Sequence, residues 1–158
     1  MVTAALILMV STGLFGFYLQ ALCQKILRRQ FTQEFSQSIV NANRLEFPSI
    51  RKAIEDLGSA LEYPRLALTL KCDFLALTYL LKNAANVNQR YSYEERLLIL
   101  YFKVIFATMV SRHLLKLREA PAALKLTAIL EYFANVVGER VNTVRFGNLT
   151  ASDYLLNL

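Results

Sequence analysis

Residues 2–29, VTAALILMVSTGLFGFYLQALCQKILRR, decide how the rest of the chain is read. From Val2 to Gln24 there is no charged side chain, and Lys25, Arg28 and Arg29 follow at once. At a helical rise of about 1.5 Å per residue this run reaches roughly 34 Å, enough to cross a hydrocarbon core of about 30 Å. A cleaved signal peptide carries its cations before a shorter apolar run, whereas here they come after a longer one, so the stretch reads as a retained transmembrane helix. Bulky Leu22 before Cys23 argues against lipoprotein processing.

Lys and Arg beside a spanning helix stay on the cytoplasmic side. The topology signal Lys25, Arg28 and Arg29 therefore predicts a single-pass protein of the plasma (inner) membrane, with its amino terminus outside and its carboxyl-terminal domain cytoplasmic. Residues 1–30 make the anchor with its basic juxtamembrane segment, and residues 31–158 a cytoplasmic helical domain. With almost all the mass inside, a receptor for an external ligand is excluded. Ala5, Thr12, Gly16, Gln20 and Cys23 fall on one face of the span, a stripe of small and polar residues that lets another membrane helix approach closely. Gln24 to Asn43 contains no Pro or Gly, so the helix is expected to continue past the membrane.

Beyond Gln24, 134 residues suffice for one domain with a real core. Five Gly, three Pro and 55% hydrophobic residues exclude a disordered tail. The net charge of +6 is half accounted for by the topology signal, and the rest is scattered without the basic stripe of a nucleic-acid surface. Anionic lipid headgroups are the expected partner for those cations, and nucleic acid is not. Cys23 and Cys72 cannot form a disulfide framework.

Helical punctuation follows in order. Pro48 opens a short amphipathic helix with Ile50, Ala53, Ile54 and Leu57 on one face, Arg51–Glu55 and Lys52–Asp56 pairs opposite, and Gly58 as its cap. Pro64 opens a second helix to about Lys82, and Asn83 to Arg90 is a polar link. Ser92 and Glu95 have the spacing of a capping box before a helix that runs to about Glu119. Its stretch Leu97 to Val110 is apolar almost all round, and is placed at the centre of a soluble bundle, with a second membrane segment over 97–111 as the alternative. Pro121 starts a last long helix ending near Val137 with Gly138 as cap, then an extended piece at Val141 to Phe146 and a terminal turn after Thr150. The expected fold is all-α: a single N-terminal transmembrane helix and a bundle of about five helices.

Two charges break this pattern. Asp73 falls within the leucine face of its helix and Lys103 within the apolar stretch of the next, so they are expected to meet as a buried ion pair. Catalytic signatures are lacking: His113 is the sole histidine and is read as a surface or capping residue, multi-ligand metal sites lack their ligands, and no phosphate-cradling glycine loop occurs. No catalytic residue and no cofactor is expected. The sequence reads as a membrane-anchored, non-catalytic interaction protein, an accessory, scaffold or assembly subunit of a membrane complex whose partners are membrane proteins. The alternatives are a helical pocket for a lipid or hydrophobic cofactor, and a membrane-linked enzyme using Asp73 and Lys103.

Overall fold

Pro48, Pro64 and Pro121 each stand second in a helix, where the missing N–H costs nothing because the first turn has no intrahelical acceptor for it. The computed structural model describes the backbone of residues 2–57, 62–83 and 90–156, and the side chains of 2–56, 62–83 and 90–144. Those residues form six α-helices: α1 (Val2–Leu27), α2 (Ser36–Asn43), α3 (Phe47–Leu57), α4 (Tyr63–Asn83), α5 (Tyr93–Leu114) and α6 (Ala120–Leu156). The all-α class holds. The expected cap at Gly58, most of the Asn83–Arg90 link and the side chains of the terminal turn lie outside the described residues.

The helix expected to run from the anchor to Asn43 instead stops at Leu27, and α2 starts afresh at Ser36. Tertiary contacts override local propensity here. Phe31 packs edge-on against Tyr132 of α6 at 5.4 Å, and Asn135 Oδ1 of α6 accepts the N–H groups of Phe35 and Ser36 at 2.9 and 2.8 Å. Those donors open α2 and have no intrahelical partner, so Asn135 supplies the missing cap from another helix. Arg44, in the left-handed region at φ 53°, ends α2 and turns the chain into α3.

The bundle is built around α6, not around α5 as the sequence suggested. Leu126, Ile129, Leu130, Phe133, Ala134 and Val137 are fully or almost fully buried, and α1 to α5 all pack on this helix. Small side chains at Ala122, Ala123 and Ala134 let the neighbours approach. On α5 only the face with Leu98, Tyr101, Phe102, Ile105 and Met109 is buried, while Leu100, Lys103, Val104 and Thr108 are exposed.

Nor does α6 end at Val137, and the chain over 141–146 is helical rather than extended. Gly138 is a site of close approach: a Cβ there would lie 2.1 Å from the Cβ of Phe35. The glycine makes room for the loop that enters α2 instead of stopping the helix.

Among the described residues three helices, not one, are long and apolar enough to cross a membrane: Val2–Leu27, Tyr93–Leu114 and Ala120–Val144. They differ in what covers them. Of the residues in their apolar windows, 6%, 28% and 67% respectively are buried by the rest of the protein. The apolar surface of α6 is thus largely spent on the core, and that of α1 is not.

Candidate functional site

The buried polar side chains show which groups are free for chemistry. Among the described residues four qualify, Asp73, Glu95, Thr127 and Asn135, and each has a structural partner. Asp73, 6% exposed, does not pair with Lys103, which is exposed. Its Oδ2 accepts the N–H of Glu46 at 2.9 Å and of Phe47 at 2.7 Å. These open α3, and Pro48 after them has no N–H to satisfy, so Asp73 caps α3 across the α3–α4 contact. Burial pushes the Asp73 carboxyl above its ordinary value, the two N–H donors oppose that, and nearby Glu46 adds to the rise.

The buried ion pair lies elsewhere, between Glu95 and Arg140. Glu95 closes the capping box of α5: its Oε2 accepts the Ser92 N–H at 3.0 Å while its own N–H donates to Ser92 Oγ at 3.3 Å. Its Oε1 accepts from Arg140 Nη2, and Arg140 Nη1 donates to the Leu81 carbonyl, one of the free acceptors at the end of α4. One arginine on α6 therefore ties the end of α4 to the start of α5. Sequence reading found the capping box and missed Arg140, whose partner is 45 residues away.

Thr127 Oγ1 donates to the Leu124 carbonyl one turn back. No buried side-chain nitrogen or oxygen among the described residues lacks a partner. Beside the Glu95–Arg140 pair an open cleft of about 620 Å³ is bordered by Arg29, Tyr93, Glu94 and Glu139. Its charges also answer one another, with Arg29 3.5 Å from Glu139 and 4.0 Å from Glu94. Neither Asp73 nor Lys103 lines it. His113 stacks on Tyr63 at 3.6 Å and its Nδ1 sits 2.6 Å from Glu119 Oε1, an orienting contact at a helix corner. Among the described residues no group of three or more His, Cys, Asp or Glu side chains is placed to hold a metal.

The unpartnered surface is α1. Every residue from Val2 to Tyr18 is exposed, including Leu6, Ile7, Leu8, Met9, Leu14, Phe15 and Phe17. Below them Leu19 and Cys23 are buried and Ile26 and Leu27 partly so, packed against the bundle with α5 as the main neighbour. At about 100° per residue, these four fall on the same side of the helix as Ala5, Thr12 and Gly16, with Gln20 at its edge. The face that packs on the bundle thus continues as the small-residue stripe into open space. Nothing lies within 4 Å of where a Cβ on Gly13 or Gly16 would be. Thr12 Oγ1 is occupied by the Leu8 carbonyl at 2.8 Å. Of the topology residues, Lys25 and Arg28 are exposed and Arg29 turns onto Glu94 and Glu139.

Compared with known proteins, the chain matches no family model, and no curated protein and no solved structure matches it significantly.

Proposed function

We propose that this is a membrane-anchored interaction protein, in which α1 spans the bilayer and the α2–α6 bundle is the body of an accessory or assembly subunit of a membrane complex. The observation that carries the reading is the uninterrupted exposure of Val2 to Tyr18 on a helix whose stem is fixed to the bundle. An apolar helix of that length free in water would cost far more than the stem contacts return, and lipid removes the cost. The same face that packs at Leu19 and Cys23 offers Ala5, Thr12 and Gly16 to a second membrane helix. On this reading Lys25 and Arg28 place the bundle on the cytoplasmic side.

The buried charges support a structural use rather than catalysis, since each is absorbed in tying helix ends together. The test is purification of the tagged full-length chain in gentle detergent, with mass spectrometry of what accompanies it. A stoichiometric set of membrane proteins is the expected result. A lone monomer with a bound lipid or pigment would overturn the subunit reading.

A further inference from the structure

The corner between α5 and α6 ends in an unusual way. The Leu117 N–H donates to the Arg112 carbonyl at 2.8 Å and the Lys116 N–H to the His113 carbonyl at 3.0 Å, the paired bonds of a Schellman motif. Lys116 occupies its left-handed position at φ 56°, a place that favours glycine. In such motifs the apolar residue after the left-handed one ordinarily folds back on the last turn. Here Arg112 stands at the receiving position, its Nε donating to the Arg118 carbonyl, and Leu117 stays 52% exposed. Leu114 and Leu115 beside it are 76% and 70% exposed. Neither Lys116 nor Arg118 has a carboxylate within 4.0 Å among the described residues, whereas Glu119 is engaged by His113. Three bare leucines thus alternate with two free cations.

The direction of α1 says what covers them. Arg29, just past the end of α1, meets Glu94 at the start of α5, and Cys23 further back along α1 lies near Tyr101 further along α5. The two helices run antiparallel. The apolar end of α1 and the Leu114–Arg118 corner therefore leave the bundle on the same side. From the level of Leu19, where α1 loses contact with the bundle, α5 continues up to about 14 Å in that direction, at about 1.5 Å per residue. Lipid that covers residues 2–18 begins at about that level, so the corner stands past the near surface of the membrane, within its near leaflet.

We infer that Leu114, Leu115 and Leu117 insert into the near leaflet of the membrane that α1 crosses, with Lys116 and Arg118 reaching back to its anionic headgroups. This second membrane contact would fix the tilt of the bundle, and it rests on the reading of α1 as the span. Cations that snorkel beside apolar anchors suit such an interface.

The chain has no tryptophan, so single Trp reporters are unambiguous. The full-length Leu115→Trp, Phe15→Trp and Tyr93→Trp variants are reconstituted into vesicles of phosphatidylcholine and phosphatidylglycerol, with and without brominated acyl chains. The reporter at 115 is expected to emit to the blue and lose most of its intensity with bromine. The reporter at 93, at the far end of α5, is expected to remain water-like and unquenched. Adding Lys116→Glu and Arg118→Glu to the Leu115→Trp variant is expected to move its emission back to the red. An unquenched reporter at 115 with a quenched one at 15 overturns the corner contact and leaves the anchor standing; the reverse overturns the anchor and with it the inference that rests on it. If both stay unquenched, both readings fall. Equal quenching at 93 and 115 refutes the corner contact, because lipid would then cover the whole of α5.

Discussion

Removing the Asp73 side chain tests whether a buried carboxylate in this bundle serves a helix end rather than a reaction. In Asp73→Ala the N–H groups of Glu46 and Phe47 lose their shared acceptor. Phe47 is 3% exposed, and an orphaned buried donor costs about 1–3 kcal/mol. The Glu46 N–H lies nearer the surface, where loss of a bond costs about 0.5–1.5 kcal/mol. Together they give about 1.5–4.5 kcal/mol, which for a chain of this size lowers the melting temperature by roughly 5–14 °C. Asp73→Asn keeps an oxygen in place and is expected to lose less than about 1 kcal/mol at neutral pH.

The pH dependence has a definite sign. Because burial raises the folded carboxyl above its unfolded value of 3.8, the stability it contributes is fully present below that value and is lost as pH rises through the folded pKa. The deficit of Asp73→Asn against the wild type should accordingly shrink from acid to neutral pH. Thermal unfolding followed by helical circular dichroism in detergent measures both. An Asp73→Ala variant as stable as Asp73→Asn across that range would refute the capping role.

Other substitutions separate the remaining devices. Gly138→Ala, which in an open helix would stabilise by about 1 kcal/mol, is expected here to destabilise by about 1–3 kcal/mol, because the new methyl meets the Cβ of Phe35; thermal unfolding should show that Phe35→Ala, which keeps that Cβ, does not rescue it. Arg140→Met leaves Glu95 buried without its cation and should cost about 3–5 kcal/mol, whereas the Glu95→Gln, Arg140→Met double variant should lose less than the sum of the single losses in a double-mutant cycle. Lys116→Gly relieves a left-handed lysine and should raise stability by about 1 kcal/mol in the same unfolding assay, whatever the corner contacts.

Features that depend on neighbours in sequence were legible: the apolar run of α1, the prolines at helix starts, the Ser92–Glu95 capping box and the Arg51–Glu55 pair at 3.2 Å all stand where the spacing puts them. Features whose partner is backbone were not. A buried carboxylate suggests an opposite charge, and Lys103 was the nearest candidate by pattern, but Asp73 is answered by two peptide N–H groups that no side-chain wheel displays. Glycine was ambiguous for a similar reason, since a helix stop and a close approach by Phe35 look alike at Gly138. The exchange of roles between α5 and α6 has a subtler cause. Both are apolar, and what distinguished them was Lys103, Thr108 and Ser111 on one outer face of α5, against alanines spread around α6.

The central claim is that the small-residue face of α1 meets another membrane protein. A photo-crosslinking residue at Thr12, in the stripe, is compared with one at Leu14, which lies on the opposite side of the helix at about 100° per residue. Both are introduced into the full-length chain and irradiated in native membranes. A discrete protein adduct is expected from position 12 and mainly lipid adducts from position 14. Lipid adducts alone from both positions would contradict it.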